Sequence, residues 1–431
     1  MSLFRDFICF IGIFTVGLSG LGNDNILSKS KMNWPCERIT DGNGFYWFAY
    51  YDKLQTDPTE RYVLAMRVNF EGRPPTQDDV VDIGYIDLQD NYKFNKVGES
   101  RSWGWQQGCQ LQFVPQTEST ILWNDRQDGK FVTHIYDIKT KALRTIDKAV
   151  YAVSPDGKWA VSTDFRRLND TRPGYGYAGI PDPNKDILAP SDSGIWKVDL
   201  STGESKLIIS IAQIAALPNK YDKYAMEGAK HWFNHLLISP DGSRVEFLHR
   251  WRYEDKEKNS QFKEVGGFGT RMMTSDPDGK NLRILDPFNY TSHFIWKGSY
   301  GILAWSRIPD KGYGFFLFED AENGKIEQVG KGVMTNNGHN TYMPQSYDLV
   351  LNDTYPLGKE RRQMLYIYNT KTGKQTLIAE LFSPKEYKSS FRCDLHPRAS
   401  AKGSYIFVDS THEGLGRQIY MFKVPDIKTL Y

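Results

Sequence analysis

One short unit recurs along this chain and restricts its fold more than any other feature. It is an apolar strand, a tight turn and a second apolar strand. The clearest copy spans Phe233 to Trp251, where Leu236–Ile238 runs into Pro240-Asp241-Gly242 and returns as Val245–Leu248. Proline pre-sets φ at the turn and glycine supplies the backbone freedom that the reversal needs. The frame recurs as Ser154-Pro155-Asp156-Gly157 and, degraded, as Ser400-Ala401-Lys402-Gly403.

Inner strand pairs of this kind are read at residues 48–68, 111–123, 152–162, 236–248, 294–305, 342–351 and 398–408. Hairpins interleave with them at 83–97, 135–146, 195–209, 272–285, 315–329, 365–378 and 419–430. Helical periodicity is nearly absent, with residues 209–217 the one candidate. Self-similar four-strand units repeating every ~40–60 residues predict a β-propeller. The expectation is an all-β, seven-bladed propeller of four-stranded antiparallel blades over residues 31–431. A β-sandwich pair would not explain seven in-phase repeats. Cys36–Thr40 is expected to supply the outer strand of the last blade. Insertions at residues 170–192 and 251–267 are long enough to be functional loops.

Composition narrows the partners. Net charge is +2 with no long basic run, which argues against nucleic acid, whose phosphates need a clustered basic footprint. Aromatics make up 14% of the chain, which suits strand packing and equally a surface facing sugar rings. The apolar run Phe7–Leu21 after Arg5 fits a secretory leader over residues 1–22. It is short for a membrane span. The expected mature chain is an exported monomer with no membrane span, periplasmic or extracellular. Its remaining Cys36, Cys109 and Cys393 are too few for a disulfide framework.

The histidines carry the chemistry. His235 lies four residues before Ser239, His396 four before Ser400, His339 four before Met343, and His293 four before Lys297. Four of the eight histidines thus share one repeat position, and a propeller brings such positions together around its channel. Gathered imidazoles suit a divalent metal, with Asp394 or Asn234 as a further ligand or support. The bland reading is a polar, half-buried position where each ring bonds nearby backbone.

A second group precedes it. Trp105, Gln106 and Gln107 lead into an inner strand and point to the channel rim, and Arg126 ends the next strand. Tyr151 precedes the turn at Ser154, Arg166-Arg167 follow the paired strand, and Tyr175 and Tyr177 sit in the loop beyond. Adjacent arginines fit either a solvated face or a carboxylate pocket with bidentate geometry. Arg250 and Arg392 join them as candidate substrate-binding residues.

The segments S-P-D-G-K-W-A-V-S (154–162), D-L-H-P-R-A-S (394–400) and D-S-T-H-E-G-L-G-R-Q-I-Y (409–420) resemble TolB-type propellers. More narrowly, they resemble the propeller lyases of uronic-acid glycans: oligogalacturonate lyase and, less closely, ulvan and rhamnose–glucuronate lyases. The resemblance to oligogalacturonate lyase implies a metal (Mn, Ca or Zn) held by His235, His339 and His396 with Asp394, engaging a uronate carboxylate. The resemblance to ulvan lyases implies proton transfer by Tyr151 and charge neutralisation by Arg167. It departs where Gln106 or Gln107 stands in place of earlier-blade histidines. The implied reaction is β-elimination from an acidic oligo- or polysaccharide, with Tyr151, Arg167 and His235 as catalytic candidates. His235 would be either base or ligand, not both. The competing readings are a glycoside hydrolase, disfavoured by the lack of a matched carboxylate pair, and a non-catalytic glycan- or protein-binding propeller.

Overall fold

The computed structural model describes residues 29–344 and 346–430; the expected leader, with Cys9, lies outside them. Seven antiparallel sheets are formed. Blade 1 runs from Phe45–Trp47 through Tyr62–Val68 and Val81–Asp87 to Lys93–Ser100. Blades 2 to 5 repeat that order, each four strands of consecutive chain. Blade 6, built on Thr341–Tyr342, Leu349–Asp353, Arg362–Asn369 and Gln375–Phe382, gains a fifth strand from Lys31–Met32. The turn glycines Gly157 and Gly242 take φ of +70° and +75°, as the repeated turn requires.

The seventh blade closes the ring with chain from the other end. Its outer strand is Cys36–Arg38, antiparallel to Gln418–Lys423, as expected. The hairpin expected at 419–430 does not form. Pro425 has no N–H to donate, and Ile427–Leu430 turns as a short 3₁₀ segment instead. The first inner strand also departs from expectation. Trp47 pairs with Met66 and Thr56 bridges Val63, so residues 48–55 loop out opposite only Leu64 and Ala65.

Each seam between neighbouring blades holds its own apolar cluster. The seam between blades 7 and 1 contains Ile39, Tyr46, Val63, Phe407 and Ile419, and that between blades 3 and 4 contains Tyr151, Phe165, Trp232, Phe233 and Phe247. A propeller core is therefore a ring of seams, each fully buried large side chain contributing ~1.5–3 kcal/mol. The expected helix appears as Ile211–Ala215. A second helix, Phe165–Thr171, opens the first insertion. Its cap is Asp164, whose carboxylate accepts from the N–H groups of Arg166 and Arg167. The three cysteines in the described residues are all free.

If ring closure is structural, deleting residues 29–40 removes buried Ile39 and the outer strand of blade 7 together. The loss should exceed the ~2–5 kcal/mol of an Ile→Ala change at position 39. Urea unfolding measures it, and gel filtration should show association through the newly bared edge of Gln418–Lys423.

Candidate functional site

The ring position can be read blade by blade from backbone hydrogen bonds. The N–H groups of Asp57, Val114, Ser154, Ser239, Met343 and Ser400 each close the same turn, onto Tyr62, Thr120, Trp159, Arg244, Leu349 and Tyr405. Four residues before them stand Lys53, Gln110, Val150, His235, His339 and His396. Lys297, paired with Gly301, places His293 in the set. All four histidines thus occupy equivalent sites, in consecutive blades 4 to 7. His235, His396 and Gln110 reach the position with φ of +48°, +43° and +58°. This left-handed conformation costs an L-residue ~1–2 kcal/mol.

The rings converge. His293 and His339 lie 4.1 Å apart, and His339 and His396 4.4 Å apart, between centroids. The looped segment of blade 1 fills the axis between them. Tyr50 stands 5.1 Å from His235 and 4.8 Å from His396, and Tyr51 binds blade 5 across the channel, its hydroxyl donating to Phe294 O at 2.9 Å.

Three groups fit a cation. The ligand atoms of His339, Asp394 and His396 lie within 4.8 Å of one another. Nε2 of His339 and Nε2 of His396 are buried without a hydrogen-bond partner. Nδ1 of His339 faces both oxygens of Asp353 at 3.0 Å, which fixes its ring and leaves Nε2 free for a ligand, the carboxylate–histidine support common at metal sites. Asp353 also accepts from the backbone N–H of His339 at 2.6 Å and of His396 at 3.2 Å, tying blade 6 to blade 7. Gly338 permits this, since a Cβ there would sit 1.9 Å from Asp353 O. Burial lowers the pKa of His293 and His396, helped by neighbouring positive groups, so both stay neutral and able to ligate. Asp394 is shared: Arg392 Nε lies 2.6 Å from its Oδ2 and competes for that oxygen.

His235 stands apart from this trio. Its Nε2 lies 3.4 Å from Asp52 Oδ2, and Asp52 is itself paired with Lys53 at 2.9 Å. Burial lowers its pKa, against the opposing pull of Asp52. Burial weighs against ionising Asp52, yet Lys53 and His235 hold it down to about 2.

Tyr151 also lines the channel, 6.4 Å from the His235 ring, with Lys53 over its face at 4.8 Å. Its hydroxyl donates to Gln107 Oε1 at 2.9 Å. Burial, with Asp52 next, raises its pKa well above ordinary phenol, so it keeps its proton. Arg167 is not its partner. Its guanidinium instead donates to His231 O, Asp182, Asn184 O and Leu188 O at 2.8–3.2 Å, where it staples the first insertion to blade 4.

The other candidates divide. Arg166 clamps its own helix cap, Asp164, and Arg126 holds the carbonyls of Ala178 and Gln77. Trp105 donates to Arg73 O and packs among tryptophans, and Tyr177 accepts from Asn124. Gln106 donates to the carbonyls of Ser390 and Arg392, so it shapes the loop carrying Arg392. Arg250 and Arg392, with Arg172, line a cleft of about 610 Å³. Ser292 and Asn337, also in its lining, bond His293 Nδ1 at 3.4 and 3.0 Å, so the cleft opens beside His293. Tyr175 reaches Arg392 with its hydroxyl at 3.1 Å. Burial pushes its pKa up, but Arg172 and Arg392 outweigh that and leave it below the ordinary value.

No protein-family model matches the sequence, and no curated protein does either. Solved structures do. The chain is similar to oligogalacturonate lyase in complex with manganese at 16% identity, with a TM-score of 0.63 over 92% of this chain and 94% of that one. It is similar to the oligogalacturonate lyase of Vibrio parahaemolyticus at 16% identity and 0.62, over 92% and 97%. The tricorn protease matches at 14% and 0.50, over 95% of this chain but 34% of its own. The fold is therefore a seven-bladed propeller of the kind found in oligogalacturonate lyase.

Asp353 is the keystone of this site. Asp353→Ala should cost ~3–5 kcal/mol, because three N–H groups lose a buried charged acceptor. Asp353→Asn, keeping one acceptor oxygen, should fall between. At position 396, glycine should be ~1 kcal/mol more stable than alanine, since only glycine relieves the positive φ. Urea midpoints check both.

Proposed function

We propose that this chain is an exported, monomeric lyase that cleaves a uronic-acid-containing oligosaccharide by β-elimination. One observation carries the reading: buried His339 and His396 have unpartnered Nε2 atoms, His339 is backed by Asp353, and its ring lies 4.1 Å from His293, whose partners Ser292 and Asn337 line an arginine-bearing cleft. That combination suits a small anion held by a cation and guanidinium groups together. The likeness in fold to oligogalacturonate lyase, including a manganese complex, supports it. Export rests on the apolar segment Phe7–Leu21.

His339, His396 and Asp394 would hold a divalent ion. When bound, it would supply positive charge to the uronate carboxylate, which acidifies the neighbouring C5–H bond. Arg392, beside Asp394 and on the cleft wall, adds a second positive group against that carboxylate. His235, neutral and backed by Asp52, takes the C5 proton. The C4–O bond then breaks, the C4–C5 double bond forms, and the departing oxygen takes the proton that Tyr151 retains. Gln107 orients that hydroxyl. In this arrangement His235 is base and not ligand, and Arg167 positions a loop.

Elemental analysis should find stoichiometric divalent metal on purified protein and none on the His339→Ala/His396→Ala double variant. Wild type that stays metal-free after reloading would overturn the metal reading. On a uronate glycan the product should show the ultraviolet absorbance of a conjugated unsaturated uronate. Tyr151→Phe should keep its metal and lose roughly 10²–10⁴-fold in kcat, the range for a general acid. Because burial depresses the His235 pKa, its neutral form persists below the ordinary imidazole value of 6.5. The acid limb of kcat/KM should therefore lie below that pH, and a limb above it would remove His235 from the role.

A further inference from the structure

Three guanidinium groups gather on one ring. The guanidinium carbons of Arg172, Arg250 and Arg252 stand 5.1, 5.0 and 5.5 Å from the centroid of Phe268, a buried side chain on the cleft wall. Among the described residues none of the three is paired with a carboxylate. Arg252 donates to the carbonyls of Gly267 and Thr171, and Arg172 packs over Tyr175 at 3.8 Å. Arg250 has no such outlet. It is 6% exposed, and its Nε and Nη1 are buried with no hydrogen-bond partner.

A guanidinium cannot shed its charge. Buried and unpaired, it is strongly unfavourable, and two like charges on the same ring add repulsion. An oxyanion in the cleft would answer both. The cleft's own acid, Glu264, is exposed and held by the Tyr313 hydroxyl at 2.5 Å. The anion at the histidine centre does not meet this need either, because Arg392, not Arg250, borders that centre. The cleft lining also includes Trp305 and Tyr313, stacked at 6.2 Å with an 11° interplanar angle, as an apolar surface for a sugar face.

We propose that Arg250, assisted by Arg172, forms a second acidic subsite that binds the carboxylate or sulfate of a sugar adjoining the one at the histidines. The substrate would then be a glycan with acidic groups on neighbouring sugars, and Arg250 would select for it. This rests on the glycan reading of the site, but not on the reaction.

The test is calorimetric binding to full-length protein stripped with EDTA, so that the subsite is read without the metal. The probes are a galacturonate trisaccharide, its methyl ester, and a sulfated galactan oligosaccharide. Arg250→Gln should weaken the acidic trisaccharide roughly ten- to a hundredfold, as for loss of a charged bidentate contact. Arg250→Lys should fall between, and the methyl ester should bind both proteins alike. The same dependence on the sulfated probe alone would assign the subsite to sulfate. Arg172→Gln serves if Arg250→Gln fails to fold. Unchanged affinity in a folded variant, or no binding of either acidic probe by wild type, overturns the proposal. Arg250-dependent binding in a protein that makes no unsaturated product would overturn the lyase reading alone.

Discussion

The antiparallel pairing of Cys36–Arg38 with Tyr420–Phe422 is the contact on which the rest depends. It brings the two ends of the described chain into one sheet and so makes the seam between blades 7 and 1. That seam is polar as well as apolar. Arg398 of blade 7 donates to Gln55 of blade 1 at 2.8 Å and pairs with Asp409, while Asp409 accepts from Phe48 N–H. Phe48 and Gln55 bound the looped segment of blade 1. Closure therefore fixes where that segment starts and ends, and with it Tyr50 and Tyr51 on the axis. The histidine rings pack against those tyrosines. The candidate site is thus built from the outside inwards.

Much of this was legible in the repeat. Turn chemistry repeats because every blade must reverse at the same radius, and counting back four residues from the turn picked out the four histidines. The same count would have found Lys53 and Gln110. Pro58 and Pro115 follow Asp57 and Val114 just as Pro240 follows Ser239, but without the full Ser-Pro-Asp-Gly signature those turns pass unnoticed. Asp353 was harder to see. It lies on a second strand, and its role comes from pairing across a seam that no linear spacing encodes.

The pairing of Tyr151 with Arg167 shows the opposite limit. Their order and spacing invite a shared pocket, and Tyr151 does face the channel. Arg167 sits on a helix that the alternating strand pattern conceals, begun by the cap at Asp164. One turn of helix is enough to swing its guanidinium outwards, onto carbonyls of the insertion. Arg172, five residues on and past the helix end, is the arginine that the loop returns to the cleft.

Charge is divided unevenly within the site. Two buried tyrosines near the histidines are pushed in opposite directions: Tyr151 upwards by burial and Asp52, Tyr175 downwards by Arg172 and Arg392 despite its burial. Groups of one type whose environments separate their pKa values mark donor and acceptor sides. In the proposed reaction the donor would be Tyr151 on the channel wall of blade 3, where its hydroxyl donates to Gln107. On the other side Tyr175 shares Arg392 with Asp394. An anion that draws Arg392 away would remove part of what lowers Tyr175 and release an oxygen of Asp394 for a ligand role. The proposed anion and cation would therefore be coupled through one guanidinium, and by linkage each would alter the affinity for the other.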